Sequence, residues 1–296
     1  MSLLIVTITG YWQYFNGTNF FGFVSHEGRL SMPLNDNLIL GGYLSRILPF
    51  YIGLLFFFES QSKKIIIISS ALIILITILI YLSGERTAIF NLFLLLFLLI
   101  VFINKFLRLK IILFVLIISP LFLITVFNDD IRNRNINFTL KQINAFNGLD
   151  NIIFLSHRHS QLVKTSISMF EKNIILGVGP NNFRHLSMDS RYYLDDYSIN
   201  THPHNNYFQL LAETGLIGFL TIFSLFIYLL SRVIMNLFNS YFSNAPNYNN
   251  YQVCLMIYFL ITLWPLIPSL NFFNNWINII YFLPVGFFLA SLSREK

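Results

Sequence analysis

Charge is what this sequence has least of. Only 11% of its 296 residues are Asp, Glu, Lys or Arg, against 55% hydrophobic and 17% aromatic. A soluble domain covers itself with about a quarter charged residues, so a water-facing globule of this length is excluded. Cysteine is nearly absent too. The single Cys254 rules out an intrachain disulfide and any cysteine-built metal cluster; it reads as a small buried apolar residue. No basic stripe is interleaved with aromatics, so the net charge of +6 implies no nucleic-acid partner. The first residues lack the basic start of a signal peptide.

In place of charge there are long apolar runs. Residues 65–82, 88–103 and 111–127 contain no charged side chain. A bilayer span needs about 20 mostly apolar residues, with about 17 as the lower limit. Residues 38–58, 207–230, 252–270 and 276–293 complete a set of seven candidates, and 1–15 is a short eighth or an interfacial segment. The expected fold is all-α: a polytopic helical membrane protein with about seven or eight spans and one long, partly helical outer loop. N-terminal transmembrane helices (1–127), the loop (128–206) and C-terminal helices (207–296) form one integrated membrane domain.

Short basic connections orient such a chain, because Lys and Arg are retained on the inner side. Lys63 and Lys64, then Lys105, Arg108 and Lys110, then Arg232, then Arg294 and Lys296 alternate correctly across the seven spans. The C-terminus is therefore expected to be cytoplasmic. The opposite side receives the segment before Leu38, the turn at residues 83–87, the long loop and the turn near residues 271–275. Arg29 and Arg86 stand on that side in short connections, where arginine is disfavoured. Arg46 lies inside a candidate span, which is costlier. Each is a candidate for function. The plainer alternatives are pairing with Glu27 or Glu85, or reaching to a lipid phosphate.

The loop at 128–206 is too long for a plain connector. Residues 160–172 read as an amphipathic helix anchored by Leu162, Ile167 and Phe170, able to lie on a membrane face. Arg158, between His157 and His159, either is solvated or presents a guanidinium to a phosphate. Leu176-Gly177-Val178-Gly179-Pro180-Asn181-Asn182-Phe183 lacks the Lys-Ser/Thr ending of a phosphate loop and reads as a turn. Residues 189–196 mix carboxylates with tyrosines, a weak sign of sugar contact.

The loop ends in Asn200-Thr201-His202-Pro203-His204-Asn205-Asn206-Tyr207 and runs into an apolar helix. Pro203 restrains the backbone between the histidines, and Asn205 or Asn206 is placed to cap the helix. His204 then sits beside a helix N-terminus, which favours a neutral imidazole and nearby anions. A neutral imidazole is the form a general base needs. Zinc binding by His202 and His204 is the rival reading, with Asp195, Asp196 or Glu213 as third ligand; none has convincing spacing. Glu213, two turns into the helix, needs a cationic partner, and Gly215 and Gly218 are spaced for close helix packing.

Together these residues resemble the O-antigen ligase and O-antigen polymerase superfamily of bacterial membrane glycosyltransferases. Gly28-Arg29-Leu30 precedes a span, ahead of Asn35 and Asn37. Ser83-Gly84-Glu85-Arg86-Thr87-Ala88 resembles the family's small-residue turn around an arginine. Arg158, the Gly177–Phe183 stretch, His202-Pro203-His204-Asn205-Asn206-Tyr207 and Glu213-Thr214-Gly215-Leu216-Ile217-Gly218 follow in the family's order. Fewer spans precede Arg29 than the family usually has.

The resemblance implies an undecaprenyl-diphosphate-linked glycan donor and a periplasmic active face on a multi-pass inner-membrane protein. It implies a hydroxyl acceptor on a glycan, lipid A core or protein, and membrane lipids as surroundings. Arg29 and Arg86 would contact the diphosphate, with Arg158 in support, and His204 would act as base. His202, Asn205, Tyr207, Glu213 and Arg46 are expected at the substrate. Chemistry of this kind needs no cofactor or metal. The outcome is polymerase, ligase or protein O-oligosaccharyltransferase. The rival class is a transporter or flippase of lipid-linked glycans, which would use arginines in a polar cavity without an outer histidine.

Overall fold

The computed structural model describes residues 2–26, 28–33, 36–58, 62–103, 107–144, 157–265 and 267–293. Glu27, Asn35, Lys105, Arg294 and Lys296, all named above, lie outside the described residues. Within them the protein is all-helical, with isolated β-bridges at Thr18–Val24 and His26–Arg29. Twelve α-helices run α1 Ser2–Asn16, α2 Leu40–Phe57, α3 Lys63–Leu82, α4 Arg86–Phe102, α5 Leu107–Phe127, α6 Asp129–Arg132, α7 Phe138–Asn144, α8 His157–Lys172, α9 Phe183–Leu186, α10 Asn206–Phe242, α11 Asn250–Thr262 and α12 Asn275–Ser293. A π-helical turn, Asn133–Asn137, joins α6 to α7.

Five helices (α2, α3, α5, α10 and α12) are long and apolar enough to cross a membrane; α4 and α11 are apolar but only 17 and 13 residues long. The surface agrees with lipid as the solvent. Ile65 to Ile68 of α3, Phe90, Phe93 and Phe97 of α4, and Phe122 and Leu123 of α5 are exposed. Outside a bilayer, so much exposed apolar area would drive aggregation.

The chain forms two compact units, residues 1–138, 232–261 and 284–296 in one, and 139–231 and 262–283 in the other. In the first, α1 packs on α3 and α2 packs on both α3 and α4. Small residues permit the close approaches. A Cβ on Gly41 would meet Ser83 Oγ at 2.1 Å, and one on Gly53 would meet Cys254 Cβ at 3.0 Å. Cys254 is fully buried.

In the second unit, α8 carries a buried stripe of Ser160, Leu162, Val163, Thr165, Ser166 and Met169. Leu162 and Met169 join Phe183, Tyr192 and Ala212 in one cluster. The amphipathic helix therefore buries its apolar face against protein. Ile167, expected as an anchor, is 39% exposed.

The glycines of α10 act differently from the expected helix packing. Gly215 has φ +63° and ψ −157°, so the helix is broken there. The backbone groups freed by the break pair with residues 174–179. Val178 N donates to Ala212 O (2.8 Å), Gly179 N to Glu213 O (2.9 Å) and Leu216 N to Ile174 O (2.8 Å). Such pairing demands glycine on both sides. A Cβ on Gly177 would lie 2.5 Å from Glu213 C, and one on Gly215 would lie 2.4 Å from Ile175 O. Gly177-Val178-Gly179 is thus a splint for a broken helix.

The run at 252–270 departs most from expectation. It reads as one span, but α11 stops at Thr262. Pro265 and Pro268 explain this, since proline lacks an N–H and pushes the preceding residue out of the helical region. The following segment, from Leu263 to Phe272, frames the histidines described below.

Gly177→Ala and Gly215→Ala should each destabilise the protein by about 1–3 kcal/mol, since a positive φ and a backbone clash coincide. Gly286→Ala is the control, because nothing lies within 4 Å of its added Cβ. Thermal unfolding in detergent checks this, and equal melting temperatures for all three would refute the splint.

Candidate active site

The first unit gathers arginines around the turn Ser83-Gly84-Glu85, between α3 and α4. Leu30 N donates to Ser83 O at 3.3 Å. Gly84 has φ +68°, and a Cβ there would strike Gly28 O at 2.2 Å. The two expected motifs, Gly28-Arg29-Leu30 and Ser83 to Ala88, therefore touch backbone to backbone. Arg29 donates Nη2 to Leu38 O, and its Nε is buried with no hydrogen-bond partner among the described residues. Arg86 opens α4 with its guanidinium 5.5 Å from the Phe138 ring centroid.

Glu85 lies at the centre of this turn and is only 5% exposed. Its two oxygens accept from Gly41 N (2.7 Å) and Gly42 N (3.1 Å), so it caps the N-terminus of α2. Burial pushes its carboxyl up to about 7, against the pull of Arg29, the two amides and Arg46. Arg46, 7% exposed inside α2, donates Nη1 to Gly42 O at 2.9 Å. Sequence reading missed Arg134, on the π-helical turn. It donates Nε to Gly84 O at 3.3 Å, and both it and Arg29 repel the Arg86 guanidinium. The available signal was Asp129-Asp130-Ile131-Arg132-Asn133-Arg134, which carries two arginines just past α5 on the expected outer side.

The second unit holds the histidines. Asn205 caps α10, its Oδ1 accepting from Tyr207 N (3.0 Å) and Phe208 N (3.2 Å). Its Nδ2 donates to Pro265 O at 2.8 Å, and Tyr207 Oη donates to Leu263 O at 2.6 Å. Ser269 completes the frame. Its N–H donates to His204 O (2.8 Å) and its Oγ to Asn206 Oδ1 (2.7 Å). This clamp holds His204 at φ +56°, a left-handed conformation uncommon outside glycine.

The ring centroids of His202 and His204 lie 4.2 Å apart, and His159 lies 6.0 Å from His204. Burial, and then the positive ends of His202, His159 and Arg158, push His204 down to about 3. Burial pushes His202 down to about 4. Both rings are therefore neutral across physiological pH. Among the described residues, no three His, Cys, Asp or Glu side chains are arranged to hold a metal.

Asn200, which stood in the histidine stretch without an expected role, decides which nitrogen of His204 is basic. Its Oδ1 accepts from Thr201 N at 2.7 Å, so its Nδ2 is the group facing His204 Nε2 at 3.1 Å. An amide NH₂ only donates, so Nε2 is the bare nitrogen and Nδ1 carries the proton. His202 Nδ1 contacts Thr201 Oγ1 at 2.9 Å, while its Nε2 is buried without a hydrogen-bond partner. Arg158 is exposed at the start of α8, close enough to affect His204 electrostatically.

Glu213 is fully buried, and its partner is not the cation expected. It accepts from Phe183 N (2.8 Å) and Gln209 Nε2 (2.9 Å). Gln209 also donates to Asn271 Oδ1 and accepts from Phe272 N. Glu213 thereby ties the 177–183 turn, the broken helix and the 263–272 frame together.

A helical membrane protein with clustered guanidiniums in one unit and neutral, oriented imidazoles in the other has the parts for charged-leaving-group chemistry. A family model described as O-antigen ligase matches residues 71–223, just over half of the chain. The chain belongs to that family, whose members are glycosyltransferase-type membrane enzymes acting on lipid-linked glycans and acceptors. The match spans Arg86, Arg134, Arg158, both framed histidines and Glu213. No curated protein matches the chain.

The depressed histidines set a pH dependence. The unfolded chain binds protons near pH 6.5, while the folded one resists until about 4 (His202) and about 3 (His204). Stability from both is intact above pH 6.5 and is lost as pH falls towards 4. The slope is up to about 1.4 kcal/mol per pH unit per histidine. Melting curves between pH 7.5 and 4.5 check this: His204→Gln should flatten the decline, and a wild type without any decline would disprove the buried neutral state.

Proposed function

We propose that this protein transfers a glycan from an undecaprenyl-diphosphate-linked donor to a hydroxyl acceptor, at the periplasmic face of the bacterial inner membrane and without a metal. The observation that carries this reading is the half-buried, neutral His204 with its Nε2 lone pair defined by Asn200. The acceptor hydroxyl displaces the Asn200 amide from the His204 Nε2 lone pair, and Nε2 takes the hydroxyl proton. The acceptor oxygen bonds to the anomeric carbon as the bond from that carbon to the diphosphate oxygen breaks. The lipid diphosphate leaves with the electron pair. Arg29 and Arg86 compensate its growing charge, and Arg158 assists. One oriented donor of this kind contributes about 3 kcal/mol, and a positioned base about 10²–10⁴ in rate.

The other residues divide by what they touch. Asn205, Tyr207 and Glu213 spend their polar atoms on the frame, so their contribution is to hold His204 and the adjoining turn. His202 packs its ring on His204 and supports it. Arg46 balances Glu85 within α2. Growing glycan (polymerase), lipid A core (ligase) or protein is the acceptor class, and the ladder of products separates them. A transporter would have no use for a base with a fixed tautomer, which places the transferase ahead of the flippase.

His204→Ala should lower transfer by about 10²–10⁴. Arg86→Lys should lower it at least about tenfold, because lysine lacks the bidentate fork. Both are read from surface-polysaccharide ladders on gels at matched expression, and unchanged ladders would remove these roles. Asn200→Asp supplies an acceptor where a donor stood, which favours a proton on Nε2. Roughly a hundredfold loss of kcat, with KM little changed and a displaced pH profile, is expected from that wrong tautomer. Wild-type kinetics in this variant would show that Asn200 does not set the base.

A further inference from the structure

The turn that splints α10 has a side that the reaction does not use. Ile174, Ile175 and Leu176 follow the end of α8, and they are 52%, 65% and 71% exposed. Their backbone is committed. Gly177 N closes the turn on Asn173 O (2.9 Å), Leu216 N donates to Ile174 O (2.8 Å) and Ile217 N donates to Ile175 O (3.5 Å). Backbone carbonyls make these bonds whatever the side chain, so the splint itself has no need of Ile174-Ile175-Leu176. The other side of the turn is pressed on the backbone of Glu213 to Gly215, closely enough to require Gly177. The three aliphatic side chains are left facing outward.

What they face follows from the helix they are bonded to. Leu216 and Ile217 open the second stretch of α10, a helix long and apolar enough to cross a membrane. Leu216, Ile217, Leu220 and Ile227 are exposed and share one face of that stretch. The hydrogen bonds from Leu216 and Ile217 set Ile174 and Ile175 beside the start of this face. The apolar surface is therefore continuous from the turn onto a helix face that needs lipid. In water, such a patch would invite association. The chemistry changes on the side of α8. There Lys164, Glu171 and Lys172 are exposed, and Lys172 Nζ donates to Arg191 O at 2.9 Å.

We propose that Ile174, Ile175 and Leu176 form a membrane-dipping wedge, seated at the headgroup end of the acyl chains beside α10. The backbone limits its depth. Irregular chain is not tolerated against lipid in the hydrocarbon core, so the turn stops at the interface, where an apolar face sinks roughly 5–10 Å. The turn makes this contact and α8 does not, because the apolar face of α8 is buried against Phe183, Tyr192 and Ala212. A short part of the long loop thus belongs to the membrane, and it sets the height of the Gly215 break relative to the lipid surface. The occupant is bilayer lipid, since the patch runs on into the lipid-facing side of α10.

The test uses the full-length protein in phosphatidylcholine nanodiscs. Ile175→Cys is labelled with bimane, and its fluorescence is quenched by iodide in the water or by lipids brominated near the headgroup or near the chain end. Wild type is the blank, since its only cysteine, Cys254, is fully buried. Lys164→Cys on α8 is the water reference, and Ile227→Cys on α10 is the lipid reference. Bimane at 175 should lose most fluorescence to bromine near the headgroup, lose less to bromine at the chain end, and be protected from iodide relative to 164. Leu176→Cys should behave alike, and it carries the test if the variant at 175 does not fold. No glycan transfer is needed for this readout, so its outcome is independent of the reaction proposed above.

Iodide quenching at 175 and 176 equal to that at 164, without loss to bromolipid, would put the turn in water and overturn the proposal. Protection from both quenchers would show that protein covers the turn, such as a second copy of this chain, and would overturn it as well. Strongest loss to bromine at the chain end would overturn the interfacial depth.

Discussion

A helix interrupted inside an apolar protein must find new partners for the backbone groups it frees. That requirement organises the second unit. The break at Gly215 releases the carbonyls of Ala212 and Glu213 and the amide of Leu216, and residues 174–179 take them up. In hydrocarbon an unpaired backbone group costs several kcal/mol, so the loop cannot be released without cost. The Glu213 side chain extends the same repair outward, to Phe183 and through Gln209 to Asn271 and Phe272. The histidines sit just before the Asn205 cap of the short helical stretch that ends at that repair. Their geometry follows from backbone hydrogen bonding more than from side-chain packing.

The two charged regions solve opposite electrostatic problems. Around Ser83-Gly84-Glu85, positive charge is concentrated, and one buried carboxylate is diverted to a helix N-terminus. Around His204, charge is suppressed: burial and neighbouring cations keep the imidazoles neutral. A cation there would repel a proton arriving from an acceptor. An imidazole this weakly basic gains strength when an anionic group approaches, since nearby negative charge favours the imidazolium.

The apolar runs at 65–82, 88–103 and 111–127 were legible as helices because composition alone specifies them. The histidine edge and the arginine at the head of α4 were legible because polar residues stand out where hydrocarbon is expected. The reading failed where partners are remote in sequence. Asn200 acts on a ring four residues away, but only through a backbone turned to positive φ, which no local pattern announces. Arg134 is one basic residue among several in its loop until the fold brings it to Gly84. Residues 263–270 carry the hydropathy of a span, and the two prolines were the only sign that they leave the helix. Gly215 and Gly218 were grouped by spacing, yet one breaks the helix and the other faces Thr214 of its own helix.

The frame that closes on His204 lies about sixty residues downstream: Leu263, Pro265 and Ser269 bind Tyr207, Asn205 and His204 itself. A ribosome makes the histidines well before it makes the groups that hold them. During synthesis the imidazoles therefore emerge unclamped and solvated, in their ordinary protonation range. They acquire a fixed tautomer only after α11 has been made and the chain has folded back from it. The proposed reactive centre is among the last parts of this protein to take its folded form, and a half-made chain carries its residues without their geometry.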